Sequence, residues 1–77
     1  MQRLDLSIII PALNEEQSIL QLYKLITYKL SEKSLIYEVI FIDDGSNDDT
    51  WKEIQKITIS DKKVKAIKFS KNYGKSD

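Results

Sequence analysis

Residues 38–50 read Glu38-Val39-Ile40-Phe41-Ile42-Asp43-Asp44-Gly45-Ser46-Asn47-Asp48-Asp49-Thr50. The first half is a near-continuous apolar run of the kind found in buried parallel strands. The second half is dense in residues that bond their own backbone or tolerate positive φ, so a strand running into a tight turn is predicted. Thr50-Trp51-Lys52-Glu53 then has the form of a capping box, opening a helix with Trp51, Ile54 and Ile57 on its apolar face.

The flanking stretches repeat the pattern. Leu4 to Ile10 is apolar and β-branched, and predicts a first strand buried on both faces and stopped by Pro11, which has no N–H to donate. Asn14 with Gln17 three residues on predicts a helix cap. Ile19, Leu22, Tyr23, Ile26 and Leu30 follow at helical spacing. Val64, Ala66, Ile67 and Phe69 predict a third strand, ending at Ser70 in a polar tail, and Tyr23, Trp51 and Phe69 fall at core spacing. Strand, helix, strand, helix, strand predicts an α/β Rossmann-like unit with parallel strands. Ligands of such sheets sit beyond the carboxyl ends of the strands, which here are Pro11–Glu15, Asp43–Ser46 and Ser70–Lys75.

The chemistry open to that edge is narrow. There is no Gly-x-Gly-x-x-Gly after the first strand and no Gly-x-x-x-x-Gly-Lys-Ser/Thr, so a backbone phosphate cradle is not expected. Glu15, Asp43 and Asp44 accept hydrogen bonds, which suits base N–H and ribose hydroxyl donors and repels bare phosphate. A calcium loop is disfavoured, because the twelfth position from Asp43 is Ile54 and from Asp44 is Gln55, where a bidentate Glu is required.

Three segments together, Ile8-Ile9-Ile10-Pro11-Ala12-Leu13-Asn14-Glu15-Glu16, Val39 through Thr50, and Ser70-Lys71-Asn72-Tyr73-Gly74-Lys75, resemble the opening of a family 2 glycosyltransferase. The likeness is nearest to the polyprenyl-phosphate branch, which includes dolichol-phosphate mannose synthases and undecaprenyl-phosphate glucosyltransferases. It implies a GT-A fold and transfer of a sugar from a UDP- or GDP-sugar donor to a lipid phosphate. It further implies a nucleotide-sugar site at Pro11, Ala12, Leu13, Asn14, Glu15, Asp43, Asp44, Lys71 and Lys75, with Asp44 taking the base N–H and Asp43 supporting it or holding the turn. Lys71 stands where the family's Arg is usual, so a planar bidentate contact is replaced by a point charge. Leu13 stands where an aromatic residue often stacks on the base. A divalent metal, Mg or Mn, is implied for the intact enzyme, with its ligands and the catalytic residues outside this chain. Residues 1–77 are accordingly expected to be the N-terminal nucleotide-binding part of a longer domain, inactive alone, the intact enzyme working at the cytoplasmic face of a membrane.

Composition bounds the alternatives. Seventy-seven residues support one small core. Twelve basic and twelve acidic residues cancel, so no blanket attraction to nucleic acid is expected. Residues 1–50 carry four basic against nine acidic side chains, a net of −5, and residues 51–77 eight against three, a net of +5. Lys52, Lys56, Lys62, Lys63 and Lys65 are expected to form a solvated face. The absence of Cys and His removes thiolate and imidazole chemistry and is compatible with a cytoplasmic chain. Phe41-Ile42-Asp43-Asp44 also looks like the acidic pair of a phosphorelay receiver, but that reading needs an acceptor Asp after the third strand, where Ser70 stands. A non-catalytic folding or interaction module is the other alternative. Unpaired edges of a small parallel sheet would also invite pairing with a second copy.

Overall fold

The computed structural model describes residues 3–69. The elements run β1 (Leu6–Ala12), α1 (Ile19–Ser31), β2 (Tyr37–Asp44), α2 (Thr50–Ser60) and β3 (Val64–Phe69). The three strands form one parallel sheet in the order β1-β2-β3, with Ile8 beside Val39, Ala12 beside Asp43 and Asp44 beside Phe69. This is the Rossmann-like α/β unit that the order of apolar segments predicts.

Sequential strand order combined with right-handed crossovers lays both helices on the same side of the sheet, and α1 and α2 pack on each other there. The core forms between helices and sheet, from Ile19 and Leu30 of α1, Ile54 and Ile57 of α2, and Val39, Phe41 and Val64 of the strands. Trp51 and Tyr23 pack half-buried against it. At the far end of the sheet Asp5 accepts the Ile36 N–H at 2.8 Å and returns its own N–H to the Ile36 carbonyl at 2.7 Å, tying the approach to β1 to that of β2.

Three expectations need correction. The first strand continues through Pro11, which pairs with Ile42, and ends at Ala12. An edge strand has one neighbour, so half of its N–H groups have no ladder partner and a proline can occupy such a position. Nor is β1 buried on both faces: Ile9 is 53% exposed, because both helices lie on the other side. For the same reason Phe69, expected in the core, is 49% exposed. Burial in β2 alternates strictly, with Tyr37, Val39, Phe41 and Asp43 buried and Glu38, Ile40 and Ile42 half-buried.

The lysines behave as the charge pattern predicts. Lys52, Lys56, Lys62, Lys63 and Lys65 are all exposed. Lys56 pairs with Glu53 at 3.1 Å and Lys65 with Glu38 at 3.0 Å, exposed contacts of small energetic weight.

Candidate functional site

The site is built where two loops leave the carboxyl ends of β1 and β2. Because Ala12 and Asp43 are register partners, the loop after β1 and the loop after β2 start side by side. In the second loop Gly45 adopts φ 85°, a conformation that favours glycine, and the Asp43 carboxylate accepts the Ser46 N–H at 2.9 Å to close the turn. In the first loop Asn14 adopts φ 54°, which its short polar side chain tolerates.

That left-handed turn brings three consecutive backbone N–H groups onto the neighbouring loop. Asn14 N–H donates to Ser46 Oγ at 2.8 Å, Glu15 N–H to Thr50 Oγ1 at 2.7 Å and Glu16 N–H to Asp48 Oδ2 at 3.3 Å. The second loop reciprocates. Asn47 N–H donates to Asn14 Oδ1 and Asp49 N–H to Glu16 Oε1, each at 2.8 Å. Asp48 also accepts the Thr50 N–H at 2.9 Å and the Thr50 hydroxyl. The hydroxyl contact, ahead of the backbone donors, holds the Asp48 carboxyl below the ordinary range.

These bonds correct both predicted caps. Asn14 does not cap α1, whose N-cap is Ser18, and Thr50 is the first residue of α2 rather than its cap, which is Asp49. Neither cap position makes a side-chain cap bond. The polar groups that would have capped the helices join the loops instead.

Beside the join lies an open depression of ≈ 600 Å³, lined by Asn14, Glu15, Glu16, Gln17, Ser18 and Asp48. Its lining is carboxylate-rich and suits N–H and O–H donors. The N–H groups of Asn14, Glu15 and Glu16 are already engaged, so they offer no nest for an anion. Glu15 Oε1 takes the Ser18 hydroxyl at 2.7 Å, which orients its carboxylate.

The predicted residues separate into groups. Asn14 and Glu15 line the depression, and Leu13 beside them is 47% exposed. Ala12 and Asp43 lie buried beneath, Asp43 fully so, with Oδ2 lacking a hydrogen-bond partner among the described residues. Pro11 sits on the helix-free side of the sheet, and so does Asp44 by strand alternation, exposed and outside the lining of the depression. Asp43 and Asp44 therefore project to opposite sides of the sheet and make no paired carboxylate site. Lys71 and Lys75 lie outside the described residues. Ser46, Asn47, Asp48 and Thr50 join the loops from outside the predicted site; the sequence signals them only through the density of turn-formers after β2 and, for Thr50, the capping box. No group of three potential metal ligands of the His, Cys, Asp or Glu type occurs among the described residues.

An open parallel α/β sheet with a carboxylate-lined depression at its carboxyl edge defines a Rossmann-like unit, and the carboxyl edge is where such sheets take their ligands. The chain matches the family described as Glycosyl transferase family 2 over residues 7–77. It belongs to that family. It is 36% identical over 72 residues to the prophage bactoprenol glucosyl transferase homolog of Escherichia coli (strain K12), covering 94% of this chain and 24% of that protein. Its identity to the bactoprenol glucosyl transferase of Shigella phage SfV is 35%, over 94% of this chain and 24% of that protein. The uncharacterized glycosyltransferase sll0501 of Synechocystis sp. (strain ATCC 27184 / PCC 6803 / Kazusa) is likewise 35% identical, over 94% and 23%. The chain spans about a quarter of the length of these relatives. Membership of this family does not favour the receiver or the interaction-module alternative.

Proposed function

We propose that residues 1–77 are the donor-binding part of a transferase that moves a sugar from a nucleotide-diphosphate sugar to a polyprenyl phosphate. The observation that carries the reading is the joining of the β1 and β2 loops into one carboxylate-rich rim at the carboxyl edge of the sheet. Such a rim recognises the hydrogen-bond donors of a base and a ribose. The bactoprenol transferases to which the chain is similar supply the acceptor class.

On this reading Glu15 and Asn14 face the nucleoside, Asp43 holds the turn beneath it, and Asp44 meets the base from the strand end. Lys71 and Lys75 would supply positive charge toward the diphosphate. The described residues do not fit a divalent cation, since Asp43 and Asp44 face apart and no third acid joins either of them. No metal-dependent step is assigned to them, and the Mg or Mn of the intact enzyme would be held elsewhere. None of the described helices is long and apolar enough to cross a membrane. Work at the cytoplasmic face would follow from the lipid acceptor.

Calorimetric titration of the 77-residue chain with UDP and with GDP tests this. Saturable heat with one of them, without sugar transfer by the chain alone, is the expected outcome. Silence with both removes the reading. Molecular mass in solution tests pairing of copies through β1 and β3, each of which has one strand neighbour among the described residues.

A further inference from the structure

Thr50 is fully buried, yet its hydroxyl belongs to no helix cap and to no core contact that needs a polar atom. It stands between the loops: the oxygen accepts the Glu15 N–H at 2.7 Å while its proton goes to the Asp48 carboxylate. Asp48 in turn accepts from Glu16 N–H on the first loop and from Thr50 N–H at the start of α2. A hydroxyl that donates to a carboxylate is polarised and becomes a better acceptor. The relay therefore runs from the Glu15 backbone through Thr50 to Asp48 and returns to the first loop at Glu16.

We infer that Thr50, which lies buried outside the lining of the depression, is a positioning residue that acts with Asp48 to hold Asn14-Glu15-Glu16 against α2 in the conformation that presents the Glu15 carboxylate to the donor nucleoside. The inference rests on the nucleotide-binding reading above and adds to it two residues outside the predicted site. α2 is the fixed support, because Ile54 and Ile57 one and two turns further along anchor it in the core. The first loop has no such anchor between Ala12 and Ile19, where every residue is exposed or half-buried. Its position depends on what it is bonded to.

Thr50→Val keeps the shape and removes the hydroxyl, whereas Thr50→Ser keeps the hydroxyl. In the full 77-residue chain, Thr50→Val is expected to weaken binding of whichever of UDP and GDP the wild type takes by about tenfold, with Thr50→Ser within about threefold of wild type. Equal binding by the Val variant, or equal loss in both variants, overturns the inference. A second arm needs no nucleotide. The Glu15 amide should exchange with deuterium at least about tenfold faster in Thr50→Val while the amides of Ile54 and Ile57 keep their protection. If no nucleotide binds the wild type but this exchange pattern appears, the functional reading fails and the positioning role stands. Unchanged Glu15 exchange, or a Val variant that unfolds outright, overturns the positioning role itself.

Discussion

Asp43 is fully buried and accepts the Ser46 N–H on one carboxylate oxygen at 2.9 Å, while its other oxygen has no hydrogen-bond partner among the described residues. One half of the side chain is thus required by the turn and the other half is a buried acceptor left unpaired. Leaving such an atom unsatisfied is costly, and replacing it with a group that carries no charge relieves the cost. Asp43→Asn keeps an oxygen for Ser46 and is expected to leave stability unchanged or raised. Asp43→Ala strands the Ser46 N–H and is expected to lose about 1–3 kcal/mol. Urea midpoints of the two variants decide the matter, and an Asn variant as damaged as the Ala variant would show that the second oxygen is satisfied in solution.

Asp44, the next residue, has the opposite profile. It is exposed, and its carboxylate takes part in no hydrogen bond among the described residues. If its role is to meet a base, Asp44→Ala should leave the unfolding midpoint within about 0.5 kcal/mol of wild type and lower nucleotide affinity about tenfold. Affinity equal to wild type would remove Asp44 from the site.

How far the sequence could be read follows from which signals are local. The apolar run at Val39–Ile42 and the 3.6-residue spacing of α1 are carried by neighbours in the chain, and the elements formed where those patterns lie. Strand order is not local. A run such as Ile8-Ile9-Ile10 looks the same whether one face or two are covered, and only the placement of both helices on one side leaves Ile9 outside. Asn14 and Thr50 carry correct capping chemistry, but their partners lie 33 and 35 residues away on the adjacent loop. A long-range hydrogen bond satisfies the same atoms as a local cap, and sequence spacing cannot distinguish the two. The carboxyl-edge location of Asn14 and Glu15 was legible because parallel topology alone dictates it.

The one-sided sheet makes opposite predictions for apolar residues of similar size. Phe41 is fully buried between sheet and helices, and Phe41→Ala should cost about 3–5 kcal/mol. Ile67, 44% exposed on the helix-free side, should tolerate Ile67→Thr within about 0.5 kcal/mol. Denaturant titration of both variants checks this. A large loss at Ile67 would mean that something covers that face in solution.

Acid acts on the loop join. Asp48 has its carboxyl held below its ordinary value of 3.8, chiefly by the Thr50 hydroxyl. A depressed folded-state value stabilises the fold above the unfolded value and is lost as pH falls through the folded one. Asp5, lowered by the Ile36 N–H and then Arg3, and Glu38, lowered by the Ser7 hydroxyl and then Lys65, act in the same direction. Asp48→Asn should therefore be less stable than wild type at pH 7, and the gap should close as pH drops below about 4. A gap that persists undiminished at pH 2 would mean that the ionised carboxylate contributes nothing to the join.

Alkali acts on the helices through a different pair. The Tyr23 hydroxyl on α1 donates to the Asp61 carboxylate at the end of α2 at 2.6 Å, and this bond, with lesser help from desolvation, pushes the phenol up to about 12. A raised folded-state value contributes stability that is complete below the ordinary 10.0 and is lost as pH climbs toward 12. Lysines and other tyrosines titrate over the same range, so the wild-type profile alone is uninformative. Tyr23→Phe lacks only the hydroxyl and shares every other titration. The difference in urea midpoint between the two chains should hold steady from pH 7 to about 9.5 and shrink toward zero by about 12. A difference that stays constant through that interval would show that the phenol does not hold Asp61, and that α1 and α2 are joined by apolar packing alone.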